Sequence, residues 1–521
     1  MEGKLLKEEA YVEKGAVTLE GIGGEQIPLE QADLVIMNPP FTRQERLPKE
    51  YKSALMKRLK GYEDCLHGQL GLYGYFILLA DKFTKENGRI ALVLPATILR
   101  VKSAQGIRKL LTEKYQIEHI ITAWERAAFS EGAQFREILL IAKKNQPSNK
   151  SKCCVTLLKN LPHSIEDAIK ITENIRSLSE RFNANEVYAD DKMSSRIITQ
   201  GELKRNLKNM YVLIATSDLK LVNMLEEISQ KNPQKLISFS SFMKQNNCQM
   251  VRFDYDPPFH GTIIVQPIRA IKKVDGWTVK ETKEKALIAQ NRFTNEEISI
   301  PINVLARGLR RASRTDKINI TNDLDYILIS DFDNSRRIIK DVNILKEWKD
   351  YVRPRLANVL LSRRLDISAV GTREIAFYSS KPMVGAHMWS IKGTNEENAR
   401  LLTLWLNSTP NLLSMLIYRT ETRGAWMVIH SYAIGTYSVL NPEKLTEDER
   451  KILLNTFEKV QDVSFPSVLE QLRGRFWARV EIDKAILKVL GFNETETNQL
   501  LDYLYLALTK EIEQLKTLMQ G

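Results

Sequence analysis

Asp33-Leu34-Val35-Ile36-Met37 runs directly into Asn38-Pro39-Pro40-Phe41. An apolar run without polar alternation reads as a strand buried on both faces, as in a parallel sheet. Proline has no amide hydrogen to give a ladder and fixes its own φ, so Pro39 and Pro40 end the strand. Asn38 is left at the carboxyl end, where open α/β sheets gather their ligands. Downstream, Gly74 to Phe83 has helical spacing, with Phe76, Leu79, Ala80 and Phe83 on one face. Asn87-Gly88 is expected to cap that helix. Arg89-Ile90-Ala91-Leu92-Val93-Leu94-Pro95 reads as a second buried strand. Ile107 to Tyr115 reads as a helix, and Ile117–Ile121 and Glu137–Ala142 as two further strands. Strands alternating with helices predict an α/β sheet.

The chain has 521 residues, enough for about three domains. Its net charge of +12 favours a polyanionic partner, nucleic acid being the commonest. The four cysteines, Cys65, Cys153, Cys154 and Cys248, have neither disulfide-framework nor zinc-site spacing, which suits a reducing cytoplasm. The six histidines form no metal motif, and no metal site is expected. Met1 leads into a charged stretch rather than a signal peptide, and no apolar run reaches the length of a membrane span.

A polar break at Asn145-Gln146-Pro147-Ser148-Asn149 is expected to close the first domain, residues 1–148. Residues 149–235 read as a charged helical connector. A mixed α/β region follows at 236–442, and helices occupy 443–521. Leu501, Leu504, Leu508 and Leu515 form a stripe there.

Asn38 to Phe41 has a chemistry of its own. The exocyclic amine of adenine is a poor nucleophile, because its lone pair is delocalised into the ring. Acceptors on both amine hydrogens draw the nitrogen towards a tetrahedral form. The side-chain oxygen of Asn38 and the backbone carbonyl of Pro39 can be those acceptors, and paired prolines keep them in place. Phe41 offers a face on which an extruded base can stack.

In this context Asp33 to Phe41 resembles the catalytic motif of N6-adenine DNA methyltransferases. Gly88 to Pro95 resembles the next strand of that domain, and Leu72–Asp81 the helix between them. Ala123-Trp124 to Phe129, then Glu137–Lys143, resemble its loop and closing hairpin. The resemblance covers residues 16–144. It implies part of a Rossmann-like class I methyltransferase fold, S-adenosylmethionine as cofactor, and Asn38, Pro39, Pro40 and Phe41 as the catalytic loop. Phe129 is implied as a second base-contacting residue. Asp33 and Asn38 are the positions carried over towards the cofactor, although Asp33 does not replace the ribose-binding acid of the family's second strand.

The family's glycine-rich cofactor loop lies well upstream of its catalytic loop, and only thirty-seven residues precede Asn38. Gly21-Ile22-Gly23-Gly24 follows no buried strand and reads as a turn. The cofactor half is therefore expected on a separate chain, or lost through a late start codon or gene break. Asp256-Pro257-Pro258-Phe259 also fits the tetrapeptide pattern, but the segment before it is alternating and charged, so it reads as non-catalytic.

Target recognition is expected in 236–442. Arg307, Arg310, Arg311 and Arg314 form one cluster, with Arg353, Arg355, Arg363 and Arg364 forming another. Arginine suits phosphate and the guanine edge, while nearby Asp316, Asp331, Asp333 and Asp366 allow an acid-paired surface instead. Glu397–Trp405 with Leu406-Asn407-Ser408-Thr409, Gly424-Ala425-Trp426, Tyr437–Pro442 and the Ile482–Gly491 tail resemble elements of type I and type IIG restriction–modification enzymes. No nuclease signature is found. The expected activity is N6-methylation of adenine at specific sites in double-stranded DNA, within restriction–modification or phage defence. The alternatives are N4-methylation of cytosine, a non-catalytic DNA-binding specificity fragment, and methylation of protein glutamine or RNA.

Overall fold

The run ahead of Asn38 folds as a strand, β1 (Ala32–Met37), paired in parallel with β2 (Thr84–Pro95). Val35 lies opposite Ile90 and Met37 opposite Leu92. The computed structural model describes residues 30–42, 48–124, 129, 136–253, 264–265, 277–322, 325–339, 341–419 and 424–520. The chain divides into two compact units, Met1–Val222 and Asn223–Gly521.

The first unit is built on a seven-stranded sheet. Its further strands are β3 (Tyr115–Ala123), β4 (Glu137–Lys144), β5 (Lys152–Leu158), β6 (Val187–Ala189) and β7 (Met193–Thr199). The spatial order is β1-β2-β4-β3-β5-β7-β6. β1, β2, β3 and β5 share one direction, and β4 is inserted antiparallel between β2 and β3. Ile90, Leu92, Leu94, Ile117, Ile120, Ile138, Leu140 and Ala142 bury one continuous apolar layer.

The expected helices form as Leu72–Phe83 and Gln105–Lys114. Asn87-Gly88 does not cap the first of them. That helix ends at Phe83, where the Thr84 hydroxyl donates to the Ala80 carbonyl at 2.7 Å. Asn87 instead takes a φ of 64° within β2. The pairing with β1 shifts register there, between Ala32 and Leu34. An asparagine tolerates the left-handed region equally well in such an irregularity. The expected connector also changes character. β5 to β7 belong to the same sheet, so the expected boundary at 148 falls inside it, and the unit extends to Val222. Charged residues on the exposed face of the helix Ile165–Arg181 concealed this in the sequence.

A buried polar knot ties the helix after the Asn38 loop to the sheet. Asp81 accepts the hydroxyls of Tyr62 at 2.6 Å and Tyr115 at 2.7 Å, and pairs with Lys144 at 3.2 Å. Lys144 also donates to the carbonyls of Asp81 and Thr84, at 2.7 and 2.9 Å. Arg108 similarly gathers the carbonyls of Ile98, Val101, Leu207 and Lys208. Burial lowers its pKa to about 10. Gly106 lets two backbones touch: a Cβ there would lie 2.6 Å from Cys65 Cα. Gly106→Ala is therefore expected to destabilise the first unit by about 1–3 kcal/mol. The check is its denaturant midpoint, and an unchanged value would show that residues 64–65 yield freely.

In the second unit, a seven-stranded mixed sheet runs from Ile264–Val265 at one edge to Gln249–Phe253 at the other. Its middle strands are Asp325–Leu328, Leu305–Leu309, Ala376–Gly385, Ala357–Ser362 and Met388–Lys392. A three-stranded antiparallel sheet, Trp277–Thr282, Ala286–Asn291 and Glu297–Pro301, shares an apolar cluster with it, including Trp277, Leu287, Ile300, Leu360 and Phe377. Asp256-Pro257-Pro258-Phe259 lies outside the described residues. The strand before it, Gln249–Phe253, is an antiparallel edge strand, unlike β1.

Helices complete the described part of this unit. Glu447–Val460 begins with a capping box between Thr446 and Glu449, and Leu501, Leu504, Leu508 and Leu515 are all buried. Buried Asp483 accepts the Thr409 amide and hydroxyl and the Tyr505 hydroxyl there.

Candidate functional site

Asn38 stands at the carboxyl end of β1, on the same side of the sheet as the ends of β2 and β3. It is exposed, Pro39 is buried, and Phe41 is half-buried. A buried proline fixes the loop while its neighbour stays open to solvent. The Thr42 carbonyl accepts the Leu72 amide at 3.1 Å, which seats the loop on the first turn of the Leu72–Phe83 helix.

Sequence reading missed the cationic and aromatic group at this side of the sheet. Arg136, just ahead of β4, donates to the hydroxyls of Thr122 at 3.2 Å and Tyr211 at 3.3 Å. Its guanidinium lies 5.6 Å from the Trp124 ring, and that of Arg100 lies 4.4 Å from the Tyr211 ring. The available signals were an arginine soon after a buried strand, Arg100, and one directly ahead of another, Arg136.

Two positions carried over from the resemblance do not gather at the loop. Asp33 sits near the amino end of β1, ion-paired with Lys85. Asn38 lies five residue steps further along the strand, roughly 16 Å away. Phe129 packs against the apolar cluster of Ile121, Ala123, Leu158 and Ile175. Gly21 to Gly24 lie outside the described residues. Among the described residues β1 pairs with β2 alone, and Leu34 and Ile36 on it are 52% and 72% exposed. A strand with such apolar side chains exposed is ready to be covered or extended.

The basic region of the second unit is partly neutralised internally. Arg314 pairs with buried Asp325 at 2.7 Å, and Arg307 donates to the Thr321 carbonyl at 2.9 Å. Arg363 is buried, and Arg355 stacks 3.8 Å over the Tyr351 ring. Arg310, Arg311 and Arg364 line one cleft of about 310 Å³. Asp366, Glu374, His387 and Trp426 line it with them. The sequence pointed to the arginines but not to Glu374, whose only local signal is its place ahead of the apolar run Ile375–Phe377. Burial pushes the Glu374 carboxyl well above the usual carboxylate range, and Asp316 adds to this, against the opposing pull of Arg373 and Arg479. Among the described residues no group of histidine, cysteine and acidic side chains could hold a metal, and no helix is long and apolar enough to cross a membrane.

The type II methyltransferase M.BanIII of Aneurinibacillus aneurinilyticus is 27% identical over 171 residues, 32% of this chain and 28% of that protein. The type II restriction enzyme and methyltransferase RM.Eco57I of Escherichia coli is 25% identical over 119 residues, 22% of this chain and 11% of that protein. The chain thus spans less than a third of the length of either relative. Among solved structures, the type IIG restriction endonuclease BpuSI aligns with 92% of this chain and 54% of its own, at 16% identity and a TM-score of 0.40. The family described as Eco57I restriction-modification methylase matches residues 25–129, which contain β1, the Asn38 loop, β2 and β3. Over that segment, about a fifth of its length, the chain is similar to the Eco57I restriction-modification methylase family.

Proposed function

We propose that this chain takes part in S-adenosylmethionine-dependent N6-methylation of adenine at specific sites in double-stranded DNA, in the cytoplasm, within a restriction–modification or phage-defence system. One observation carries the proposal: Asn38-Pro39-Pro40-Phe41 is held at the carboxyl end of a strand paired in parallel with its neighbour. There the Asn38 side-chain oxygen and the Pro39 carbonyl accept the two hydrogens of the amine and aim its lone pair outward. Phe41 stacks on the base, which must leave the duplex to reach it. Arg100 and Arg136 bring positive charge to the same side of the sheet, favourable to the DNA backbone. Arg310, Arg311 and Arg364 do so in the second unit.

S-adenosylmethionine would supply the methyl group. The described residues do not make a cradle for it. Asp33 is engaged with Lys85 far along β1 from the loop, and the glycine cluster lies outside the described residues. No step is therefore routed through the donor. Its cradle is assigned to residues outside those described or to a second chain, and the β1 edge, unpaired among the described residues, supports such an addition.

The test is methylation of duplex DNA by the assembled protein, followed by digestion to nucleosides and mass spectrometry. N6-methyladenine is expected. N4-methylcytosine would move the target to the other amine that this loop can hold. If the assembly binds both donor and DNA yet forms neither product, the chain is a DNA-binding specificity module.

A further inference from the structure

The cleft of the second unit has an unsatisfied floor. Glu374 is 4% exposed, and among the described residues neither carboxyl oxygen has a hydrogen-bond partner on another residue. Two other buried acids, Asp81 and Asp483, each collect two hydroxyl donors. An unmade hydrogen bond at a buried polar group is costly, so a retained one invites a ligand. Burial without a partner favours the neutral acid. That form presents one O–H donor beside one acceptor. It matches the amide of glutamine, which pairs with the N6 and N7 edge of adenine.

The walls of the cleft suit the rest of a nucleotide. Arg310, Arg311 and Arg364 bring cations, and Trp426, 42% exposed, brings a flat ring. The volume of about 310 Å³ is at the lower end of small-molecule pockets. His387 at its edge has a φ of 59°, a left-handed conformation that non-glycine residues seldom hold and that concentrates at ligand clamps.

We propose that this cleft takes a nucleobase carrying an amino group beside a ring nitrogen, adenine or the pairing edge of cytosine. Glu374 reads that edge, Trp426 covers the ring, and the three arginines hold the phosphate. The proposal rests on the reading of this region as a DNA surface and adds a specificity-determining residue to it. The same chemistry is offered by a base extruded from a strand and by a free nucleotide.

The experiment titrates dAMP, dCMP, dGMP and dTMP into the full chain by calorimetry, for the wild type, Glu374→Gln and Glu374→Ala. The wild type is expected to bind dAMP and dCMP at least roughly tenfold more tightly than dGMP and dTMP. Glu374→Gln should keep that preference, because its amide repeats the donor–acceptor pair, and Glu374→Ala should lose it. A preference that survives in Glu374→Ala, that is lost in Glu374→Gln, or that is absent from the wild type overturns the proposal. Unfolding midpoints of the variants separate a lost preference from a lost fold. Binding of a mixed-sequence duplex at low salt is measured alongside. Failure of the wild type to bind it overturns the DNA-surface reading, whereas duplex binding without nucleotide preference overturns the Glu374 assignment alone. If Glu374→Ala weakens both nucleotides and an oligonucleotide carrying an unpaired adenine, the base comes from a strand; if it weakens nucleotides alone, the ligand is a free nucleotide.

Discussion

Asn38→Ala is expected to lower methyl transfer to DNA by the assembled enzyme by about 10²–10³-fold, the usual cost of removing one preorganised hydrogen-bonding group from a reacting centre. The loss should fall on kcat. The base would still enter and stack on Phe41, but one amine hydrogen would have no acceptor, so the lone pair would stay delocalised. DNA affinity should be unchanged, because the cations assigned to the backbone are elsewhere. Asn38 is exposed, so its truncation leaves no cavity, and the unfolding midpoint should match that of the wild type. Single-turnover methylation and duplex binding, measured on one preparation, check this. Wild-type turnover in the variant would remove Asn38 from the chemistry and, with it, the argument that joins the loop to an amine.

Asp81→Ala is the substitution expected to cost most in stability, about 3–5 kcal/mol in the first unit. Asp81 is buried and serves Tyr62, Tyr115 and Lys144 together, so its removal leaves two hydroxyls and a largely buried ammonium without their shared acceptor. That is a large share of the roughly 5–15 kcal/mol that holds a domain folded. Burial alone would raise the Asp81 pKa. The hydrogen bonds from both tyrosines and the charge of Lys144 outweigh it and lower the pKa. A carboxyl with a depressed folded pKa contributes stability above its unfolded value, near 3.9, and loses it as pH falls through the folded value. The gap between wild type and variant should therefore be full at neutral pH and shrink in acid. Denaturation of the first unit at several pH values measures it. A gap that stays constant as the solution is acidified would show that packing, not the charge, is what Asp81 contributes.

These two predictions differ in how far the sequence exposes them. The Asn38 loop is a local object. Its apolar run, its two prolines and its aromatic residue are consecutive, so strand, stop and acceptor can be read from one short segment. The helices Leu72–Phe83, Gln105–Lys114 and Glu494–Gln520 were legible for a similar reason, since their apolar spacing repeats with the helical period. The Asp81 knot was not legible. Tyr62, Asp81, Tyr115 and Lys144 are far apart in the chain and meet only when the helix docks on the sheet. Asn87-Gly88 misled because an asparagine–glycine pair fits a helix end and a strand irregularity equally well, and the pairing of β1 with β2 chooses between them. The strands β5 to β7 went unread because their membership in the sheet depends on partners, not on their own pattern.

The arginine clusters show the same division. Their number and crowding are sequence facts, and they marked the region. Where each of them stands is decided by what the fold places beside it. Arg314 is taken by Asp325, and Arg307 by a backbone carbonyl, while Arg310, Arg311 and Arg364 converge on one cleft. The sequence by itself determined the strand–loop unit at Asn38, the helical periods and the positive balance, because these depend on neighbours along the chain. The tertiary structure alone decided the order of the sheet, the exposure of Leu34 and Ile36 on β1 and the burial of Glu374. Each of those is a relation between residues distant in sequence, set by the packing free energy of the whole unit.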